Sequence, residues 1–186
     1  MNVKQSGGAS GVTNGVKTVK YPRMILLNCG EADRLSEIIS DILKFCSYNA
    51  SVDGLEENTD YIISKSYDDI IDNDGIIADT VLSDCVEENE ILRFRRIVTP
   101  YEKAAESEES EKKLLTYSAE NYSADVTCRN ISTQGDSTVF DILSGGILSR
   151  VRINSSIYSV SEVLICTSVL IAAGIPLAAI LSFFNK

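Results

Sequence analysis

The stretch that decides the fold is residues 24–46, MILLNCGEADRLSEIISDILKFC. It opens with a short apolar run of buried-strand length, residues 24–29, which Gly30 ends. From Leu35 to Cys46 the apolar residues recur at the three- and four-residue spacing of an amphipathic helix. The stretch therefore predicts a strand, a tight turn and a helix, which is the repeating unit of an α/β fold.

Three further runs, at residues 61–64, 75–83 and 96–99, have the composition of buried strands. Short helical or turn segments separate them, and this alternation is typical of a parallel sheet covered by helices. We therefore predict a parallel α/β part over residues 21–113.

From Leu114 the pattern changes to strand-like runs that are joined only by turns. The runs are residues 114–118, 125–132, 137–143 and 147–153. Strands with such short connections pair antiparallel, and Gly145 and Gly146 supply the positive φ that a tight hairpin turn requires. The sequence thus predicts an antiparallel hairpin extension over residues 114–158.

The apolar tail, residues 159–186, has more than one interpretation. Residues 163–184 carry no charge and are long enough for a membrane span, so a tail anchor is one interpretation. Gly174 and Pro176 instead place a helix-ending and a helix-starting residue in the middle of the run. We expect two short packed helices, with the anchor and a partner-binding hydrophobic hairpin as the alternatives.

The composition is typical of one globular domain. The 186 residues are 44% hydrophobic and 24% charged, which suits a single core. We expect a flexible lead-in over residues 1–20 and one domain over residues 21–186. The start lacks the apolar segment of a secretory signal, which favours a cytoplasmic location.

The net charge and the amino-acid composition exclude several functions. The net charge is −10, with 18 acids and 5 bases in residues 53–111, which argues against a nucleic-acid partner. A protein partner or a homo-oligomer stays open. The chain has no histidine, which removes Ser-His-Asp and Cys-His systems and histidine-ligated zinc.

No metal site and no catalytic residue is expected. The acidic cluster at residues 68–74 lacks the spacing of a calcium loop. The cysteines contain no Cys-x-x-Cys pair, and we interpret them as reduced, mostly buried thiols. They are Cys29, Cys46, Cys85, Cys128 and Cys166.

One segment of the lead-in has the composition of a phosphate-binding loop. Its residues are Thr13, Asn14, Gly15, Lys17 and Thr18. In such loops backbone N–H groups surround the phosphates and a lysine neutralises their charge. Here no apolar strand precedes the segment, and Tyr21-Pro22 follows before a helix can begin. We therefore favour a flexible lead-in, with a nucleotide-binding loop as the alternative.

The turn at Gly30 does lie between a predicted strand and a predicted helix. Glu31 and Asp33 follow it, where carboxylates suit the start of a helix. The same carboxylates would repel a phosphate, so we expect an ordinary helix start.

The motifs LLTYS (114–118), ADVTCRNI (124–131), FDIL (140–143) and AAGIP (172–176) follow one another in this order. In this respect residues 114–181 resemble the second half of the central domain of the Mur ligase family. The resemblance implies a mostly parallel α/β sheet with flanking helices and an antiparallel extension, in a shortened form. It also implies ATP-dependent amide-bond formation with magnesium, on peptidoglycan precursors or folate-type substrates.

The chain departs from the family pattern at the residues that carry this chemistry. Val16 interrupts the family's Gly-Thr-Asn-Gly-Lys-Thr loop, and the family's magnesium-binding histidine has no counterpart. The family's helix opening falls on Ser156, Ile157, Tyr158 and Ser161, so that both of its asparagines are replaced.

These departures predict a degenerate, non-catalytic relative from a bacterial cytosol that acts as a binding, structural or regulatory module without a cofactor. One alternative is a surviving ATP-dependent ligase or nucleotide binder, which would need ATP and magnesium. The other is a tail-anchored membrane protein with a soluble acidic domain.

Overall fold

The computed structural model describes residues 21–66, 76–83, 93–104 and 114–186. The strands are β1 (Arg23–Asn28), β2 (Ala50–Val52), β3 (Tyr61–Ser64), β4 (Ile77–Ser83), β5 (Arg96–Pro100), β6 (Leu114–Ser118), β7 (Val126–Gln134), β8 (Ser137–Ser144) and β9 (Ile147–Asn154). The helices are α1 (Ala32–Phe45), α2 (Tyr101–Ala104), α3 (Val160–Ala172) and α4 (Leu177–Phe184).

The nine strands of the described residues form one sheet in the order β2-β3-β1-β4-β5-β6-β7-β8-β9. Every neighbouring pair from β2 to β7 is parallel, and β7, β8 and β9 form an antiparallel meander. The predicted fold class is therefore confirmed. The glycine turn is confirmed as well, because Gly145 and Gly146 have φ of 55° and 79° between β8 and β9.

The predicted start of the antiparallel part at Leu114 is wrong by one strand, because β6 pairs parallel with both β5 and β7. A parallel neighbour usually needs a long crossover. Here β7 begins beside the last two residues of β6, with Tyr117 opposite Val126, and continues in the same direction. Because the chain does not have to return to the start of β6, the short loop of residues 119–125 is long enough to join these two parallel strands. Only the β7–β8 and β8–β9 pairs are antiparallel.

The apolar run of β1 is continuous because both of its faces are buried. Ile25 and Leu27 belong to the larger core, which also takes in the apolar stripe of α1. Met24 and Leu26 face the other side and pack in a smaller cluster with Phe94. Such two-sided burial is typical of central parallel strands.

The tail forms two helices, as predicted, and α3 packs against β4, β5, β6, β7 and α1. Its side chains Val163, Cys166 and Val169 are fully buried. Gly174, with a φ of 88°, ends the first helix before Pro176 starts the second. None of the helices in the described ranges is long and apolar enough to cross a membrane.

Candidate functional site

In the parallel part of the sheet that the structure describes, the order in which the strands are added reverses between β1 and β4. From β1 the chain continues to the side of β2 and β3, and from β4 it continues to β5. In open α/β sheets, ligands bind outside the carboxyl ends of the strands at such a switch point. Here the two strands end at Asn28 and Ser83, whose side chains are joined by a 3.4 Å hydrogen bond from Asn28 Nδ2 to Ser83 Oγ. This edge of the sheet is the candidate site.

The connection that follows β1 is short. Only Cys29, Gly30 and Glu31 lie between the end of β1 and the start of α1. A phosphate-binding loop at this place uses roughly eight residues and ends in a lysine. The turn is therefore too short to surround a phosphate, and it offers a carboxylate where such loops offer a cation.

A cavity of about 440 Å³ opens beside this turn, between the first residues of α1 and α3. Its lining residues are Gly30, Glu31, Asp33, Arg34, Ser159 and Glu162. Two helix N-termini would ordinarily attract an anion. Three of the lining residues are carboxylates, however, so the negative charge that suits these helix ends comes from the chain itself.

Glu162 is held in this cavity by a capping box at the start of α3. Its backbone N–H donates to Ser159 Oγ at 3.1 Å, and Ser159 N–H donates to its carboxylate at 2.6 Å. Burial acts to raise the pKa of Glu162, but hydrogen bonds from Ser159 and Arg34 outweigh it and bring the pKa below its ordinary value. Glu162 is therefore a fixed negative charge with partners.

Arg34 is the cation of the cavity, and its donors are in use. Its Nε donates to Glu162 at 3.1 Å, and its Nη2 donates to the Ile157 carbonyl at 2.7 Å. The hydrogen bond to Glu162 raises the pKa of Arg34 further. The guanidinium also lies over the Tyr158 ring at 5.8 Å, which fixes its orientation.

Lys65 is the second cation at this edge, directly after β3. Its Nζ contacts Asp33 at 2.8 Å and Asp53 at 2.7 Å, and these two partners raise its pKa. Sequence reasoning missed this residue. Its position immediately after the predicted strand at residues 61–64 was the available signal, because parallel strands end at one edge.

The residues of the candidate phosphate loop, Thr13, Asn14, Gly15, Lys17 and Thr18, lie outside the described residues. The acidic cluster at residues 68–74 and Cys85 lie outside them as well. None of the other cysteines forms a disulfide within the described residues; Cys128 and Cys166 are buried, and Cys29 and Cys46 are half-buried. Within the described ranges no group of acids and cysteines is arranged to hold a metal ion.

Two of the residues on which the family's helix opening falls, Tyr158 and Ser161, have different surroundings. Tyr158 packs edge-on against Phe184, with ring centroids 5.3 Å apart. Ser161 lies exposed in the first turn of α3. One position therefore supports the packing of α4, and the other faces solvent.

These features define a parallel α/β domain with an antiparallel extension and a switch-point crevice that contains its own ion pairs. Solved structures with this fold include Mur ligases, so the resemblance is confirmed at the level of the fold. A UDP-N-acetylmuramoyl-L-alanyl-D-glutamate–2,6-diaminopimelate ligase matches with a TM-score of 0.67 at 13% identity, over 90% of this chain and 46% of that one.

Two Mur ligases from Thermotoga maritima are similar in the same way. MurF in complex with ADP has a TM-score of 0.60 at 10% identity, over 88% of this chain and 48% of that one. MurC has a TM-score of 0.59 at 10% identity, over 89% and 45%. The chain thus spans about half the length of these structures. No protein-family model and no curated protein matches the sequence.

Proposed function

We propose that this chain is a non-catalytic, degenerate Mur ligase-like domain that acts as a binding, structural or regulatory module. The supporting observation is the pairing of the two cations, Arg34 and Lys65, that the described residues place at this edge of the sheet. Asp33, Asp53 and Glu162 balance the charge of these two side chains and compete with a nucleotide phosphate for them. A shared fold does not by itself carry an activity, because function depends on the site.

The proposal includes a link to cell-wall precursor metabolism in the cytoplasm. The structurally similar proteins are named as ligases of UDP-N-acetylmuramoyl compounds, which supports the link. The four cysteines among the described residues form no disulfide with one another, which is consistent with a reducing compartment. A module of this kind would recognise a precursor or a protein partner without transforming it.

Thermal unfolding of the full chain with and without millimolar ATP and magnesium tests the proposal. A ligand that binds the native state raises its stability by mass action, by about 2.7 kcal/mol at a hundredfold excess over Kd. We expect no rise in the melting temperature with ATP, and no release of phosphate. A nucleotide-dependent rise would contradict the proposal and favour the ligase or nucleotide-binding alternative.

Three lysine variants locate the nucleotide in that event. Lys17→Ala removes the lysine of the candidate phosphate loop, and Lys20→Ala is the matched control within the same lead-in. Loss of the shift in Lys17→Ala alone would assign the nucleotide to Thr13–Thr18. A shift that survives in both variants but disappears in Lys65→Ala would assign it to the switch-point crevice.

A further inference from the structure

The described residues cover the edge strand β9 along only part of its length. Asn185 lies against it and acts as a short substitute for a neighbouring strand. Its Oδ1 accepts the Arg152 N–H at 2.8 Å, and its Nδ2 donates to the Arg150 carbonyl at 3.3 Å. These contacts show that the backbone groups of Arg150 and Arg152 point away from the sheet.

Along an antiparallel strand the backbone N–H and C=O groups point alternately to the two neighbouring positions in the sheet. The backbone groups of Leu148, two residues before Arg150, therefore also point away from β8. The N–H and C=O of Leu148, and the N–H of Arg150, have no hydrogen-bond partner within the part of the chain that the structure describes. Ile147 and Leu148 are also 62% and 56% exposed. An uncovered edge with apolar side chains is a template for pairing with another strand.

We propose that a second copy of this chain pairs with this segment, antiparallel, through residues 147–149 about a two-fold axis at Leu148. The two Leu148 residues then lie opposite each other and exchange their N–H···O=C bonds, and the sheet continues from one copy into the other. The inference rests on the proposed role as a binding module and deepens it by naming the partner.

The sequence of the segment favours a second copy over a charged partner. Residues 146–149 are Gly-Ile-Leu-Ser, so antiparallel self-pairing brings no like charges face to face. Arg150 is the nearest charge, and its Nε already donates to Asp141 of β8 at 2.8 Å. An acidic partner strand would therefore gain little from this arginine.

The distribution of charge favours the same arrangement. Five acids of residues 53–111 that the structure describes lie on or beside β2, β3 and β4, in the half of the sheet far from β9; they are Asp53, Glu56, Glu57, Asp60 and Asp79. Edge-to-edge contact at β9 thus keeps these carboxylates of two copies apart, which limits their repulsion. The contact is isologous, as in most two-fold dimers.

Asn185 limits the length of this contact, since it occupies the edge at Arg150 and Arg152. The pairing is therefore short, and small interfaces are weak and transient. Two consequences follow: the dimer depends on concentration, and removal of the Asn185 side chain frees more of the edge for a stronger contact.

Sedimentation velocity of the full chain over a concentration series tests the inference. We expect a monomer–dimer equilibrium for the natural chain and loss of the dimer in Leu148→Lys, which places two lysines opposite each other. Asn185→Ala is expected to move the equilibrium towards the dimer. Ile131→Lys is the matched control, because Ile131 is also exposed, at 51%, but lies on β7 and not at the edge.

Hydrogen exchange gives a second measurement that does not depend on a variant. The backbone N–H of Leu148 is expected to exchange more slowly as the concentration rises, whereas that of exposed Ile157 is expected to stay unchanged. A natural chain that is monomeric throughout, or a dimer that persists in Leu148→Lys, would overturn the inference. Neither result bears on ATP binding, so failure here is separable from failure of the non-catalytic proposal.

Discussion

Single side chains at the amino ends of the parallel strands join several elements of the fold. At the amino ends, Arg23 Nη2 contacts the buried Asp79 at 2.6 Å, and its Nη1 donates to the Tyr61 hydroxyl at 2.7 Å. The Tyr61 hydroxyl donates in turn to the Ala173 carbonyl at the end of α3, at 3.3 Å. This network joins three strands to one helix, and it places a cation near a helix C-terminus, where it is favourable.

Asp141 gives a prediction at the same scale. It is buried in β8, and hydrogen bonds from Arg150 and Asn130 lower its pKa. A carboxyl with a lowered folded-state pKa stabilises the fold above its unfolded pKa of about 3.9, and loses that contribution as the pH falls through the folded-state value. Asp141→Asn should therefore lower the free energy of unfolding by about 1–2 kcal/mol at pH 7 and by less at pH 3.

Urea unfolding at the two pH values measures this difference. Glu37→Gln is the control, because Glu37 is 71% exposed and its ion pair with Arg34 lies at the surface. Such pairs are worth about 0.2–1 kcal/mol. An Asp141→Asn effect of equal size at pH 7 and pH 3 would contradict the ionic account of this contact.

At the scale of elements, the sequence predicted the existence of most strands and helices but not all of their pairings. Hydrophobic spacing indicates which residues are buried, and it located α1, α3, α4 and β6 to β9 closely. It carries no information about strand direction, which is why the parallel β6–β7 pair was missed. Strand β2, with three residues, is too short to leave a periodic signal.

The turn between α3 and α4 gives the prediction for this scale. Gly174 has a φ of 88°, and a Cβ at this position would meet only the Arg23 guanidinium, at 3.9 Å. The cost of Gly174→Ala is therefore conformational, about 1–2 kcal/mol of unfolding free energy. Gly30→Ala is a matched control, because a Cβ there meets nothing within 4 Å and its φ is not in the left-handed region.

Chemical denaturation of the two glycine variants measures the difference. We expect Gly174→Ala to unfold at lower denaturant and Gly30→Ala to remain close to the natural chain. Equal effects of the two substitutions would mean that the left-handed turn does not constrain the approach of the two helices.

At the scale of the molecule, the candidate site shows what a linear sequence can and cannot predict. The repulsion of a phosphate by Glu31 and Asp33 follows from residues next to one turn. The Arg34–Glu162 pair joins residues that are 128 positions apart, and only the packing of α3 beside α1 brings them together. Long-range ion pairs of this kind have no local signature.

The tail carries the last prediction, because α3 lies across the middle of the sheet and α4 lies beside β9. Both helices contribute buried side chains, including Val163, Leu164, Val169, Leu170 and Ile180. Each is worth about 1.5–3 kcal/mol relative to exposure, so their combined loss approaches or exceeds the whole stability of a typical domain, about 5–15 kcal/mol. A chain that ends at Ser159 should therefore aggregate or unfold, whereas a control that lacks only Lys186 should stay soluble without detergent and melt cooperatively. Cell fractionation and thermal melting of the three chains distinguish the outcomes. A stable domain after truncation at Ser159, with the full chain in the membrane fraction, would contradict the packed-helix arrangement and favour a tail anchor.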